Sequence, residues 1–342
     1  TQGTPMPHFQ PEPPHGAQQQ ARVGILLINL GTPAAPTPEA VRPYLREFLS
    51  DPRVVELPRL LWQPLLRGII LPFRAKKSAH GYRQIWQREG SPLAVITAKQ
   101  AAALQAELPQ VLVGHAMSYG APAVADAIAT MKAQGVDRLL AIPLYPQYAA
   151  SSSGAALDKV LNELLKQRNQ ISLRTISRFY NHPDYIQAMA AHIRAYWQQH
   201  GRGQRILFSF HGIPEAAVQQ GDPYEIECRA SAQLLAEALQ LSAQEWYISF
   251  QSRFGRARWI GPATSDLLTE LPAKQQIREL DVFCPGFVSD CLETLEEIAI
   301  QGREQFHEAG GQTFRFIPCL NDNPAFIAAL ADIAQENLGG WV

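Results

Sequence analysis

One histidine of the sequence stands where a strand should end. His211 follows the apolar run ILFSF (residues 206–210), which is typical of a buried strand. A neutral imidazole held at a strand tip can accept a proton or bind a metal ion of intermediate softness. A lone histidine in such a place is more often a hydrogen-bonded structural residue, so the residue by itself leaves both interpretations open.

A row of acidic residues is the second candidate. Asp290, Glu293 and Glu297 follow a Pro-Gly turn in a predicted helix, and their spacing of i, i+3 and i+7 predicts one helix face. Carboxylates in a first helical turn are favoured by the helix dipole, so the row first of all indicates a well-capped, solvated helix. A row of acids beyond the carboxyl end of a strand could instead attract a divalent cation and strip its water.

The segment QSRFGRARWIGP (residues 251–262) is the third candidate. It combines glycines, three arginines and Trp259 just past another predicted strand. Arginine pairs with carboxylates and tryptophan stacks on flat rings, so the segment could form the wall of a pocket for an aromatic ligand that carries carboxylates. The alternative is a surface loop with Trp259 packed beneath it.

Short apolar runs alternate with helical patterns along the chain, which predicts parallel strands joined by crossover helices. We therefore predict an α/β fold with two lobes, each a four-stranded parallel sheet flanked by helices. The predicted strands are Val23–Leu30, Val111–Ser118, Arg138–Leu144, Ser172–Phe179, Arg205–His211, Trp246–Gln251, Leu280–Cys284 and Thr313–Ile317. The predicted helices are Pro38–Leu49, Thr97–Glu107, Ala121–Gln134, Gly154–Lys166, Pro183–Gln198, Tyr224–Leu239, Asp290–Glu308 and Pro324–Asn337.

The spacing of the strands indicates a repeat. The first two strands start 88 residues apart in the first half (23 and 111) and 41 apart in the second (205 and 246), whereas later spacings are 27–34 residues in both halves. The halves therefore resemble two copies of one α/β unit, with about 47 additional residues in the first copy. In such sheets ligands bind beyond the carboxyl ends of the strands, which favours His211 and the acidic row facing each other.

Composition and missing motifs exclude several classes of protein. The 342 residues carry 30 Lys and Arg against 31 Asp and Glu, a net charge of −1, which gives no electrostatic basis for nucleic-acid binding. The sequence has no G-x-G-x-x-G, P-loop, G-x-S-x-G or H-E-x-x-H motif, which argues against the commonest nucleotide, hydrolase and zinc-protease sites. The four cysteines contain no C-x-x-C pair and are what a reduced cytoplasm tolerates. They are Cys228, Cys284, Cys291 and Cys319.

Two segments lie outside this pattern. Residues 1–21 are rich in Pro and Gln, lack a secretory signal and are predicted to form a disordered leader. Residues 57–73 (LPRLLWQPLLRGIILPF) are apolar but interrupted by Arg and Pro, so they do not predict a membrane-spanning helix, which needs about 20 apolar residues. This segment could be a buried helical pair, or an apolar surface that rests on a membrane through its basic flanks.

Five motifs together resemble those of bacterial ferrochelatases, and the resemblance runs from about Val23 to Asn337. The motifs are INLGTP (28–33), YPQY (145–148), SFHGIP (209–214), residues 251–262 and residues 284–297. The resemblance implies a chelatase-like fold of two Rossmann-like lobes with a porphyrin between them. It also implies insertion of Fe(II) into protoporphyrin IX, the last step of haem biosynthesis.

The resemblance implies roles for single residues as well. His211 would be the catalytic base, with Glu293 beside it as the second metal ligand and Glu297 as a further acid of the same row. The implied porphyrin contacts are Arg74, Tyr82, Ser91, Tyr119 and Trp259. Residues 57–91, here called the lip, would cover the cleft.

The expected organisation follows from this resemblance. We expect a first lobe at residues 22–180 that includes the lip, a second lobe at 181–320 that carries the catalytic residues, and a C-terminal helix at 321–342. The expected partners are protoporphyrin IX and Fe(II), without nucleic acid. We expect a cytoplasmic monomer that contacts the membrane surface peripherally through the lip.

Two departures from the family concern cysteine. Some ferrochelatases hold a [2Fe–2S] cluster through a Cys-rich C-terminal extension and, in animal-type members, one internal cysteine. This sequence ends at Val342 without such an extension and has Ala150 at the internal position, so we predict no cluster and no tightly bound cofactor. Animal-type members also have His where this chain has Cys291, which leaves Cys291 without a predicted role.

Two alternatives stay open on the sequence. The chain could be a chelatase for another tetrapyrrole or metal, such as coproporphyrin or cobalt. It could also be a haem-binding carrier without catalysis, although a carrier would need neither the base nor the acidic row.

Overall fold

A computed structural model describes Phe9, Glu12 and residues 21–342, so the predicted leader lies almost entirely outside the described residues. The strands are β1 Arg22–Gly31, β2 Leu112–Tyr119, β3 Val136–Pro143, β4 Ser172–Thr175, β5 Arg205–His211, β6 Trp246–Gln251, β7 Glu279–Phe283 and β8 Thr313–Phe316. The α-helices are α1 Pro38–Leu49, α2 Arg59–Leu65, α3 Leu71–Ile85, α4 Pro92–Glu107, α5 Val124–Ala133, α6 Ala155–Leu164, α7 Pro183–His200, α8 Glu215–Gln219, α9 Tyr224–Ala238, α10 Thr264–Gln275, α11 Arg303–Glu308 and α12 Pro324–Leu338. Three segments are π-helical: π1 Leu66–Ile70, π2 Ala150–Gly154 and π3 Glu293–Gly302.

The strands form two parallel four-stranded sheets with the same order, β2-β1-β3-β4 and β6-β5-β7-β8. This confirms the predicted α/β fold with two like lobes. Central strands such as β1 are fully buried over residues 25–28, because helices cover both faces of each sheet and water reaches neither. The continuous apolar runs of the sequence are therefore those of doubly covered strands.

Several elements differ from the predictions, among them β4 and α10. β4 ends at Thr175 rather than Phe179, because the chain leaves the sheet there and Phe179 packs edge-on against Tyr185, with ring centroids 5.2 Å apart. The sequence pattern also fails to predict α10, since that helix contains Pro272 and a proline normally interrupts a helix.

The additional residues of the first half form helices that pack beside the cleft. α2, π1 and α3 run through the lip, and one face of them joins α1 in a hydrophobic cluster. Leu292 and Leu295 of the second lobe pack against the same cluster, so the lip contacts both lobes. The opposite face exposes Leu60, Leu61, Ile69 and Phe73.

A shared core joins the two lobes. One hydrophobic cluster contains Leu27 of β1 and Phe208 of β5, together with residues of α4, α7 and α12. Loops beyond the carboxyl end of β3 also bond to the second lobe: the Tyr148 N–H donates to Glu227 and the Ala150 N–H donates to Asp222 (2.7 and 2.8 Å). These contacts bring strand-end segments of the two lobes together.

Candidate active site

His211 is the last residue of β5 and is half-buried. Its Nδ1 lies 2.6 Å from the carbonyl oxygen of Gly212. A carbonyl can only accept a hydrogen bond, so Nδ1 carries the proton and Nε2 keeps a free lone pair. Within the described residues no hydrogen bond reaches Nε2, so the imidazole presents an available base.

The acidic row has two members in the structure, not three. π3 begins at Glu293, and Asp290 lies before it with its carboxylate already bonded, so the expectation that all three acids share a helix face is wrong. The Asp290 oxygens accept from the Thr294 hydroxyl (2.9 Å) and the Asn321 amide (2.8 Å). Asp290 is therefore a structural carboxylate, and Glu293 and Glu297 remain for chemistry.

Glu297 is held by the segment that follows β6. Its carboxylate accepts from the Ser252 N–H (2.8 Å), the Ser252 hydroxyl (2.5 Å) and the Gln251 amide (3.4 Å). Ser252 has a φ of 64°, uncommon for a residue other than glycine. Burial raises the pKa of Glu297, while the Ser252 hydrogen bonds and the charge of His211, when His211 is protonated, oppose that rise. Glu297 is thus a carboxyl group held close to His211 in a partly desolvated place.

Glu293 lies among phenols contributed by the first lobe. Burial raises the pKa of Tyr44, Tyr82 and Tyr145, and the charge of Glu293 adds to each of these shifts. The Tyr145 hydroxyl is buried and has no hydrogen-bond partner within the described part of the chain. Glu293 is therefore surrounded by buried phenols of the first lobe.

The lip and the 251–262 segment meet beside His211. The Arg74 guanidinium lies 4.3 Å from the centre of the Phe254 ring, and the Trp259 indole donates to the Phe254 carbonyl (2.9 Å). Burial lowers the pKa of Arg74, and the charge of Glu293 opposes that shift. Arg74 and Tyr82 therefore lie close enough to Glu293 for its charge to act on them. Porphyrin contact by Arg74, Tyr82 and Trp259 stays a prediction.

Ser91 and Tyr119 have hydroxyls that are already engaged. The Ser91 hydroxyl accepts from Thr32 (2.7 Å), and the Tyr119 hydroxyl donates to Asp51 (2.8 Å). Tyr119 is 1% exposed and packs with Phe48 in the cluster under the lip. Both hydroxyls are thus already bonded within the protein, and the contact of these two residues with porphyrin stays a prediction.

All four cysteines are free and buried. Burial raises the pKa of each thiol. The negative charge of Asp290 raises the pKa values of Cys284, Cys291 and Cys319 further. Over the described residues, no group of three or more His, Cys, Asp and Glu side chains is placed to hold a metal ion. The predicted absence of a cluster is not tested by these observations.

Three residues of the site were given no individual role by the sequence, although they lie in segments that it singled out: Tyr145, Gln251 and Ser252. Each ends a strand or follows one within two residues at the carboxyl edge of a sheet, and this position was the available signal. Gln251 in particular is the register partner of His211 between β5 and β6. Their contacts with the acids come from segments about 40 residues or more away, which no local pattern reveals.

Two like α/β lobes, with a free imidazole and two carboxylates gathered between strand-end segments beneath a lip, define a chelatase, an enzyme that inserts a metal ion into a tetrapyrrole. The family model for ferrochelatase matches residues 22–338. The chain is 62% identical over 333 residues to the ferrochelatase of Neisseria gonorrhoeae, covering 97% of this chain and 99% of that protein. It is 50% identical over 341 residues to the ferrochelatase of Nitrosomonas europaea, covering 98% and 93%. The chain therefore belongs to the ferrochelatase family, lyases that insert a metal ion into a porphyrin.

Solved structures with the same fold are chelatases. The sirohydrochlorin chelatase SirB from Bacillus subtilis subspecies spizizenii, in complex with cobalt, superposes with a TM-score of 0.53 at 10% identity, covering 92% of this chain and 95% of that chain. SirB from Bacillus subtilis with Fe3+ gives a TM-score of 0.55 at 10% identity, covering 94% and 97%. These similarities confirm the two-lobed chelatase fold.

Proposed function

We propose that the protein inserts Fe(II) into protoporphyrin IX to make protohaem, with His211 as the base that removes the pyrrole protons. The observation that carries this proposal is the free Nε2 of His211 beside the carboxylates of π3. Histidine ionises near neutral pH, which suits it to take protons that block the centre of the macrocycle.

In this proposal Glu293 and Glu297 have different roles. The hydrated cation must shed water as it approaches the ring, and the Glu293 carboxylate compensates its charge. His211 has a single free lone pair, on Nε2, so it would be the second ligand only while it does not hold a pyrrole proton. Glu297 lies one turn further along π3, bonded to Ser252, and is the group that passes protons onwards from His211.

The porphyrin itself must bend so that its nitrogen lone pairs turn towards the metal. Such strain costs about 1–5 kcal/mol and is offset by contacts remote from the reacting atoms. In this proposal Arg74 on the lip and Trp259 on the facing segment supply these contacts, with Arg74 pairing with carboxylates of the ring periphery. Their shared contacts with Phe254, which bring the two residues to one place, support this.

His211→Ala is the direct test of the base. We expect turnover to fall by about 100-fold or more, because general-base catalysis is lost, while porphyrin still quenches protein fluorescence with its normal Kd. His200→Ala, at the end of α7, is the control and keeps wild-type turnover. Near-normal turnover of His211→Ala would refute the assignment of the base.

Substrate choice needs a separate measurement. Insertion rates for protoporphyrin IX and coproporphyrin, each with Fe(II) and Co(II), distinguish the proposal from a chelatase for another porphyrin or metal. We expect the highest kcat/KM for Fe(II) with protoporphyrin IX. A clear preference for coproporphyrin or cobalt would replace that substrate while leaving the roles of the residues intact.

We also propose that the enzyme is a cytoplasmic monomer without an iron–sulfur cluster. The three thiols near Asp290 are fully buried with raised pKa values, and Cys228 lies separately on α9, which suits none of them to bind iron as a group. An absorption spectrum and iron analysis of anaerobically purified protein would reveal a cluster directly. Sedimentation analysis would reveal a dimer.

The lip is proposed to rest on the membrane surface. Leu60, Leu61 and Phe73 are 91%, 73% and 75% exposed, and basic residues flank them. An apolar face with a basic rim binds the interface of an anionic bilayer. Among the described residues, no helix has the length and apolar character needed to span a bilayer, so such contact would be peripheral.

Vesicle sedimentation tests the lip. Replacing Leu60 and Leu61 together by Glu is expected to abolish binding to anionic phosphatidylglycerol vesicles. Ile226→Glu, at a side chain on α9 that is 71% exposed, is the matched control and leaves binding unchanged. Equal binding by the lip variant and the wild type would contradict membrane contact through the lip.

A further inference from the structure

A buried glutamine connects the strand that carries His211 with the helix that carries both acids. Gln251 ends β6, pairs with His211 in the register of β5 and β6, and is 2% exposed. A buried polar side chain is costly unless its hydrogen bonds are satisfied, so the bonds that it makes show what it holds together.

The amide of Gln251 is fully used. Its Nε2 donates to the Glu293 carbonyl oxygen (2.8 Å) and to the Glu297 carboxylate (3.4 Å). Its Oε1 accepts from the Ser209 hydroxyl (2.8 Å) and from the Cys284 thiol (3.7 Å). An amide group has two N–H donors and two acceptor positions, and all four are occupied.

The hydrogen bonds fix the orientation of the Gln251 amide. The donor end of the amide faces the oxygens of π3, and the acceptor end faces groups on β5 and just beyond β7. Ser209 lies two residues before His211 on β5, so the network ties the His211 strand to the first turn of π3. Turning the amide around would place its oxygen against the Glu293 carbonyl and the Glu297 carboxylate, which is repulsive.

We propose that Gln251 is a positioning residue for metal insertion, whose amide fixes Glu293 and Glu297 relative to His211. The proposal rests on the roles given above to those three residues. Gln251 is buried with both ends of its amide bonded within the protein, so the proposal gives it no contact with porphyrin or metal. Because its bonds reach the backbone of one acid and the carboxylate of the other, losing the donor end alters the metal step and leaves the porphyrin contacts on the lip intact.

Two substitutions at Gln251 distinguish the loss of its amide N–H donors from a change in side-chain volume. Gln251→Glu keeps the shape and the acceptor end but turns an oxygen towards Glu297, whereas Gln251→Met keeps the volume and removes both ends. We expect kcat/KM for Fe(II) to fall by about 10- to 100-fold in both variants, as is typical when a group that orients a metal ligand is lost. The porphyrin Kd, measured by fluorescence quenching, should stay within about twofold of the wild type.

The matched control is a second buried glutamine. Gln147 is 1% exposed, and its amide donates to the Ser231 hydroxyl (2.9 Å) on α9. Gln147→Met removes a comparable buried bond and is expected to lower the melting temperature while keeping wild-type kcat/KM for Fe(II). Ser209→Ala removes only one partner of the Gln251 oxygen, and it should reduce kcat/KM for Fe(II) to a smaller extent.

Results that contradict the role of Gln251 can be distinguished from results that contradict the proposed function. Folded Gln251 variants with wild-type kinetics, or variants that lose porphyrin affinity and turnover equally, would overturn the positioning role. If both Gln251 variants fail to fold, wild-type kinetics in Ser209→Ala would overturn it too. All comparisons use the porphyrin that the wild type prefers. The His211→Ala variant tests the proposed function separately: near-normal turnover there would refute that function whatever the Gln251 variants show.

Discussion

The turn after His211 explains how a histidine at a strand tip becomes a base. Gly212 has no side chain, and a Cβ there would lie 2.9 Å from the Gln251 carbonyl oxygen and 3.2 Å from the Trp259 ring. Only glycine therefore allows the chain to fold back so that its carbonyl accepts from Nδ1 of His211. The tautomer of the imidazole is thus set by backbone geometry and not by a carboxylate partner.

Removing the negative charge of Glu293 tests the proposed metal site directly. Glu293→Gln keeps the shape of the side chain but cannot compensate a dication, so we expect the KM for Fe(II) to rise about tenfold or more with an unchanged porphyrin Kd. Glu296→Gln is the control, because the Glu296 carboxylate bonds to the Gln301 amide (2.5 Å) on the same helix. An unchanged dependence on iron concentration in Glu293→Gln would remove that residue from the metal site.

Among the elements, π3 most affects the chemistry and was only partly predictable. The apolar pattern predicts one α-helix over residues 290–308, whereas the structure has a π-helix over Glu293–Gly302 followed by α11. The sequence identified the acids. It could not identify which acids share a face, because a π-helix is rare and the α-helical period used for the prediction does not apply to it.

The close packing of the lip against π3 predicts that a larger side chain at Gly81 destabilises the protein. A Cβ on Gly81 of α3 would lie 3.2 Å from Leu292 Cδ1 and 3.3 Å from Glu296 Cδ, so the two helices approach closely there. Gly81→Val should lower the free energy of unfolding by about 1–3 kcal/mol through overpacking, measured by urea denaturation. Gly68→Val, at a lip position with open space around it, should cost much less. Equal costs would show that the lip is free to move away from π3.

For the whole molecule, the repeat was predictable and the assembly of its parts was not. Strand spacing alone predicts two like units of four strands, because each strand is a separate buried apolar run. The order of the strands in each sheet is known only from the structure. The partners of Glu293 come from α1, α3 and the end of β3, and these segments meet only when the lip and the two lobes are packed. Contacts between such distant segments depend on tertiary packing, which one sequence does not encode in any local pattern.

The junction of the lobes contains a buried acid with a shifted pKa. Glu227 of α9 accepts from the Tyr148 N–H (2.7 Å) and pairs with Arg178 (2.9 Å). Burial raises the pKa of Glu227 above its ordinary value of 4.5, and the Tyr148 hydrogen bond and the Arg178 charge only partly oppose this. The folded state therefore holds the Glu227 proton more tightly than the unfolded state does.

The sign of the resulting pH dependence follows from proton linkage. Because the folded pKa is raised, the stability contributed by protonated Glu227 is complete below the unfolded pKa of 4.5 and is lost as the pH rises through the folded pKa. Glu227→Gln carries no such proton. The free energy of unfolding of the wild type minus that of Glu227→Gln should therefore decrease as the pH rises from below 4.5 through the folded pKa of Glu227, measured by urea denaturation at each pH. A difference that is constant or grows with pH would mean that the Arg178 pair outweighs burial and that this junction is strengthened by charge.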